Sequence, residues 1–401
     1  MAVIEKGGSS SGSGGKSALA FINDERFRSV FYQMFVGVVV LLAGYYLYTN
    51  TAANLDARGM EVGFGFLGST AGFSVAWSLI PYEAGDTYFH VFLVGIGNTL
   101  LVAAIAIVAS TFLGFVMGVL RLSKNWLIRN LAAWYVEILR NTPLLLQILF
   151  WFLTVFALLP SPRQSLEPVT GFVLNNRGFY FPSPQPGDLF FLTAIAFVIG
   201  IVGAVILSKW ATKRLFDTGQ KTPVFPISLG LIFGFPLVVF LVTGAPLAFD
   251  LPTLQGFNFV GGASVPPSFC ALLLALTIYH SCFMAEAVRA GILSVSHGQT
   301  EAAYSLGLKP SWTLRLVIIP QAMRAVVPPM ISNWMNVVKN SSLAIAIGFP
   351  DLVAVFMQTS LNQSGHAIEI VAMVMLFYMT VSLSISLALN QYNKSVQLKE
   401  R

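Results

Sequence analysis

Eight runs of about twenty apolar residues set the strongest limit on what this chain can become. They occupy 29–49, 91–119, 131–159, 189–208, 226–247, 267–288, 319–349 and 369–389. A helix rises about 1.5 Å per residue, so each run meets or approaches the length needed to cross roughly 30 Å of hydrocarbon. The expectation is an all-α polytopic membrane protein with about eight transmembrane helices. Charged residues make up only 10% of the sequence, against about 25% in soluble domains. The fifth and seventh runs carry Gly and Pro and are expected to bend or break there.

Basic residues set the orientation. The chain carries 23 Lys and Arg against 17 Asp and Glu, but the cations flank apolar runs and form no single soluble face, which argues against nucleic acid. Lys6, Lys16, Arg26 and Arg28 precede the first run. Arg121, Lys124 and Arg129 follow the second, Lys209, Lys213, Arg214 and Lys221 follow the fourth, and Lys394, Lys399 and Arg401 close the chain. With eight spans, all of these segments fall on one side, the cytoplasm by the positive-inside rule. Both termini are then cytoplasmic. Asp56, Glu61, Glu83 and Asp86, with only Arg58, and the 161–188 loop of balanced charge fall on the other side.

Residues 1–28 read as a cytoplasmic Gly/Ser-rich tail, and 29–49 as an N-terminal transmembrane helix retained as an anchor. Ser10 to Ser17, SSGSGGKS, ends like a phosphate-binding loop, but it has Ser10 where Gly is required and no strand before it. No ATP site is expected in this chain. Cys270 and Cys282 lie about 18 Å apart along one helix and cannot pair with each other. Four scattered histidines suggest no metal site. Trp134, Trp151, Trp210 and Trp334 read as anchors and packing residues.

The connection after the sixth run, 290–320, is polar enough to be a cytoplasmic loop with helical content. Ser296 or Thr300 can cap a short helix through Ala302 and Ala303, which Gly307 can end. Pro310 suits the first turn of a second helix entering the membrane at Pro320. The short helix can lie in a groove on a partner, or the hairpin can simply pack on the bilayer.

The sequence EAAYSLGLKPSWTLRLVIIP, Glu301 to Pro320, resembles the loop of bacterial ABC-importer permease subunits. That pattern is E-A-A, three residues, G, nine residues, then I-x-L-P. Glu301, Ala302, Ala303, Gly307 and Pro320 match in register, with Val317 in place of Ile and Ile319 in place of Leu. The resemblance implies that these residues couple the transport path to a separate ATPase, which binds the ATP and Mg.

GNTLLVA (Gly97 to Ala103), EILRNTPLLLQILF (Glu137 to Phe150), AEAVRAGILSVSHGQTEAA (Ala285 to Ala303) and KNSSLAIAIG (Lys339 to Gly348) are similar to the polar amino-acid family of permeases. That family implies a five-helix importer core, here spread over 90–389, with one N-terminal helix and a 160–266 insertion carrying two extra spans. The eight-span form looks most like the Q-type subunits of general L-amino-acid permeases and the related glutamate/glutamine/aspartate/asparagine permeases of Gram-negative bacteria. The resemblance implies a bacterial inner-membrane location, a second related permease subunit, two ATPase subunits and a periplasmic amino-acid-binding protein.

Ionisable groups in a span mark candidate sites. Glu137 with Arg140, and Glu286 with Arg289, each share one helix face at i, i+3 and can cap the inner mouth of a path or pair within their helices. Arg140, Asn141 and Thr142 precede Pro143, which frees a backbone carbonyl in a bent span. Lys339 or Arg140 is the candidate to neutralise a substrate carboxylate, and Ser341, Ser342 or Thr142 to donate hydrogen bonds. The rival role for the hydroxyls is helix packing. His280 is expected to be a hydrogen-bonded packing residue.

The function this reading supports is an amino-acid permease working by alternating access and performing no bond chemistry. The alternative is an ion- or proton-coupled secondary amino-acid transporter, which usually shows inverted repeats and midplane carboxylates. An enzyme is disfavoured because no nucleophile, base and orienting group converge.

Overall fold

The computed structural model describes residues 25–57 and 63–396. The tail residues 1–24 with Lys6, Lys16 and the Ser10 to Ser17 stretch lie outside the described residues, as do Arg58, Glu61, Lys399 and Arg401. Residues 25–28, assigned to the tail from sequence, instead open the first helix.

Among the described residues there are eight apolar helical passages, with the bent pair taken as one. They are α1 (Glu25–Asp56), α2 (Tyr88–Leu120), the bent pair α3 (Trp126–Asn141) and α4 (Leu144–Leu149), α5 (Phe190–Thr218), the α6–α7 passage (Val224–Leu229 and Phe235–Val242), α8 (Pro267–Leu293), the α10–α11 passage (Pro310–Thr313 and Ile319–Asn340) and α13 (Ala367–Val396). Two short helices complete the set: α9 (His297–Ser305) and α12 (Leu361–Ser364).

The fifth and seventh spans do not break. Residues Gly230–Gly234 and Leu314–Ile318 are π-helical turns that keep each passage continuous. Pro236 and Pro320 follow these turns, and the residues four before them, Ile232 and Leu316, lie inside them. A proline ring collides with the carbonyl at i−4 in a regular helix, and the wider i→i+5 turn removes that collision.

The span that bends is the third. Thr142 and Pro143 are extended, with ψ of 126° and 134°, and the helix turns by 102° between Asn141 and Leu144. It still crosses the membrane. Helices α2 and α8 run parallel, since Gly114 and Gly118 on α2 meet Ser281, Met284, Ala285 and Val288 on α8. Only a full crossing by α3–α4 lets the α5–α7 hairpin return the chain to the correct side.

Tight packing of α2 on α8 depends on those glycines. A Cβ on Gly114 would sit 2.5 Å from Met284 Cβ and 2.8 Å from the Ser281 carbonyl oxygen, and one on Gly118 2.7 Å from the Ala285 carbonyl oxygen. Around this pair pack α3, α4 and α11, with α13 packed on α11. The core between them includes Val102, Ile148, Leu272, Leu276 and Phe349, all fully buried.

The spanning part is helical as expected, but the connections on one face are not plain loops. Residues Leu166–Val169, Phe172–Asn175, Gly178–Phe181, Ser183–Pro186, Leu247–Asp250, Thr253–Gln255, Asn258–Val260 and Ala263–Val265 form β1 to β8. They pair as a sheet in the order β1-β2-β3-β8 and two ribbons, β4-β5 and β6-β7. The 64–87 connection joins this face, because Trp77 Nε1 donates to the Ser264 carbonyl at 2.9 Å. There Tyr82 donates to the Phe73 carbonyl at 2.8 Å, and burial, then nearby Asp86, pushes its phenol pKa up.

The inserted hairpin, α5 with α6–α7, packs chiefly on itself. Ala196, Gly200, Ala204 and Ala211 form its buried stripe. A side chain at Gly200 would strike the Leu231 carbonyl. Among residues 28–54, the α1 span buries none against the other helices.

Candidate functional site

The elbow in the third span places Arg140, Asn141 and Thr142 at the end of α3. Pro143 does free carbonyls there, as its chemistry requires, but they are not open to a passing solute. Gln147 Nε2 donates to the Leu139 carbonyl at 2.8 Å and to the Thr142 carbonyl at 3.1 Å. The Thr142 hydroxyl donates to the Ile138 carbonyl at 2.8 Å. The sequence shows Gln147 plainly, but nothing local in it says that its amide closes the elbow.

The two expected intrahelical ion pairs both form. Arg140 Nη2 lies 3.5 Å from Glu137 Oε2, and Arg289 Nη2 lies 2.5 Å from Glu286 Oε1. They are joined through Arg121, which sequence reading treated only as a topology signal. Its guanidinium bonds Glu286 and lies 3.8 Å from Glu137 Oε1. The result is an alternating chain, Arg140–Glu137–Arg121–Glu286–Arg289, tying α3, α2 and α8 together. Arg121 is the C-cap of α2, where a cation also complements the helix dipole.

Arg140 and Glu286 line a cavity of about 360 Å³ with Phe283, Ser332, Asn333 and Asn336. Its polar wall on α11 went unnoticed in the sequence because Asn and Ser carry no charge signal. Behind it, His280 Nδ1 lies 2.8 Å from Asn333 Oδ1, Asn333 Nδ2 donates to the His280 carbonyl at 3.0 Å, and Asn340 Nδ2 meets His280 Nε2 at 3.2 Å. His280 is a fully hydrogen-bonded link between α8 and α11.

Lys339 lines a different cavity, of about 670 Å³, between α11 and α13 with Ser342, Met357, Met375, Tyr378 and Met379. Thus Arg140 and Lys339, the two candidate partners for a carboxylate, do not share one cavity. Ser341 is buried and donates to the Val338 carbonyl, and Ser342 donates to the Lys339 carbonyl, each at 2.7 Å. Both hydroxyls bond carbonyls of their own helix end.

The α8–α11 connection forms a separate projection. Ser296 is the N-cap of α9 with extended backbone, and Gly307 takes φ +77° after the helix ends. Pro310 sits at N1 of α10. Ala302 and Ala303 part company: Ala303 is 3% exposed and turned inward, while Ala302 faces out. Glu301 is mostly exposed and its carboxylate lies 3.0 Å from His297 Nδ1. Tyr304, Leu306 and Trp312 present exposed apolar surface beside it. Helix α9 follows the end of α8 nearest the ion chain.

The family described as binding-protein-dependent transport system inner membrane component matches residues 196–397. The general L-amino acid transport system permease protein AapQ of Rhizobium johnstonii is 47% identical over 94% of this chain and 94% of its own length. The chain belongs to this permease family. The glutamate/glutamine/aspartate/asparagine transport system permease protein BztB of Rhodobacter capsulatus is 39% identical over 95% of this chain and 96% of its own. A crystal structure of an amino acid ABC transporter with histidines is 20% identical and covers 77% of this chain and 95% of that one, with a TM-score of 0.45.

This permease is therefore a multi-pass inner-membrane component of a binding-protein-dependent system, not an ion-coupled carrier. Among the described residues, no group of His, Cys, Asp and Glu could hold a metal ion.

Proposed function

We propose that this permease forms part of the translocation path of an ATP-driven importer of polar L-amino acids and docks a separate ATPase through α9. The observation that carries this reading is the exposed α9 helix, with Glu301 outward, Ala303 buried, and the helix packed on the π-helical turn of the seventh span. A partner that moves α9 moves the foot of α11, and through His280 and Asn333 it moves α8.

The substrate class follows the relatives, whose names specify general L-amino acids and the acidic amino acids with their amides. Arg140 and Lys339 each offer a cation beside a cavity for the carboxylate such substrates share. The working complex is expected to hold a second related permease, two ATPase subunits carrying ATP and Mg, and a periplasmic amino-acid-binding protein. The face with α9 and both chain termini lies in the cytoplasm, and the β-strand face lies outside, in accord with the basic residues near α9.

Uptake by the complex reconstituted with ATPase and binding protein tests this reading. ATP-dependent uptake of a radiolabelled L-amino acid is expected. Uptake driven by an ion gradient without ATP would overturn it.

A further inference from the structure

The inserted hairpin contains a second surface that the transport reading does not use. Nineteen residues of α5, from Phe190 to Ser208, are apolar enough to cross the hydrocarbon, about 28 Å at 1.5 Å per residue. The helix then continues to Thr218, about 15 Å further. That extension and the turn after it, KWATKRLFDTGQK from Lys209 to Lys221, hold four cations against the lone carboxylate of Asp217.

The cations have a defined direction. At 100° per residue, Lys209 and Lys213 project opposite buried Ala211 and the stripe of Ala196, Gly200 and Ala204 that faces α6–α7. They point away from the hairpin's own packing. Arg214 stacks over Trp210, its Cζ 5.1 Å from the ring centroid, and its Nη2 donates to Gln220 Oε1 at 2.7 Å. An indole rests at the depth of lipid headgroups, so the stack fixes the guanidinium at that depth. Phe216 and Phe225, 83% and 78% exposed, add unpartnered aromatic surface at the same end.

We infer that this end of the hairpin binds the headgroups of anionic glycerophospholipids, with Lys209, Lys213, Arg214 and Lys221 on the phosphates and Trp210 and Phe225 at the edge of the acyl region. Charge complementarity and the aromatic ring at interfacial depth favour a lipid over an acidic protein surface, which would have no use for an exposed Phe225 at the hydrocarbon edge. The inference stands apart from the transported substrate, because it concerns the lipid-facing side of the insertion.

The test uses the full complex in nanodiscs of phosphatidylethanolamine containing graded phosphatidylglycerol, with retained lipid counted by native mass spectrometry. Lys209→Gln with Lys213→Gln is compared with Lys124→Gln and Arg129→Gln, two exposed cations at the same membrane face. A cation seated on a bound headgroup contributes about fivefold to the affinity of that site, so the first pair is expected to lower phosphatidylglycerol retention roughly 25-fold and the second pair, outside the hairpin, much less. Should the double variant insert poorly, Lys213→Gln alone carries the comparison. Equal loss in both pairs, or phosphatidylethanolamine retained as well as phosphatidylglycerol, overturns the inference. Loss of the ATPase subunit from the Lys209 and Lys213 variant with lipid retention unchanged also overturns it and assigns the surface to a protein.

Discussion

Arg121, at the end of α2, bonds the carboxylate of Glu286 on α8 while its other terminal nitrogen faces Glu137 on α3. With its side chain only 13% exposed, Arg121 is the central link of the ion chain. A double-mutant cycle of Arg121→Met and Glu286→Gln, read from thermal unfolding in detergent, is expected to give a coupling of about 1–3 kcal/mol. Strictly additive effects would show that the contact adds nothing.

Gly118 tests the close approach of α2 and α8. A Val there must displace the Ala285 carbonyl and the Val288 side chain, at a cost of about 1–3 kcal/mol. Lower folded yield is expected on fluorescence-detected size exclusion, whereas Gly37→Val on the unburied face of α1, with open space around it, should leave the yield unchanged.

Gln147→Leu leaves the carbonyls of Leu139 and Thr142 without their side-chain donor. Loss of these bonds in a buried setting costs about 1–3 kcal/mol. The elbow should loosen, which a spin-label distance between α3 and α4 would register as a broadened distribution. An unchanged distribution would mean that Pro143 alone holds the bend.

Glu301→Lys reverses the charge on the outward face of α9 and gives His297 a like-charged neighbour when that ring is protonated. Membrane insertion should be normal, while uptake and binding-protein-stimulated ATP hydrolysis fall by about tenfold or more, equivalent to about 1.4 kcal/mol of coupling. Normal transport would remove Glu301 from the lever.

Lys339→Met keeps the length of the side chain and removes its charge from the cavity between α11 and α13. Uptake at low substrate is expected to fall about tenfold with basal ATP hydrolysis unimpaired. If Arg140→Met alone reduces uptake, the carboxylate is met at the elbow cavity instead.

The spans were legible because about twenty apolar residues in a row have few other uses, and the α9 loop because its Glu, Gly and Pro stand at fixed offsets. What escaped was set by contacts distant in sequence. Arg121 meets Glu286 across 165 positions, and β3 meets β8 only once the hairpin between them has folded. The Gly and Pro of the fifth and seventh runs suggested bends or breaks, yet neither passage is broken: π-helical turns precede Pro236 and Pro320, and α11 continues through Pro328 and Pro329. At Pro143 the backbone instead leaves the helical region, and the third span turns by 102°.

The β3–β8 pairing gives the insertion a closed neck. Phe181 and Ala263 face each other across the two strands, so the chain departs and returns at nearly one point in space. The α5 to α7 hairpin between them hangs from that point like a side branch on a stem. A lineage could therefore gain, enlarge or discard the branch in a single genetic event without disturbing the register of the stem.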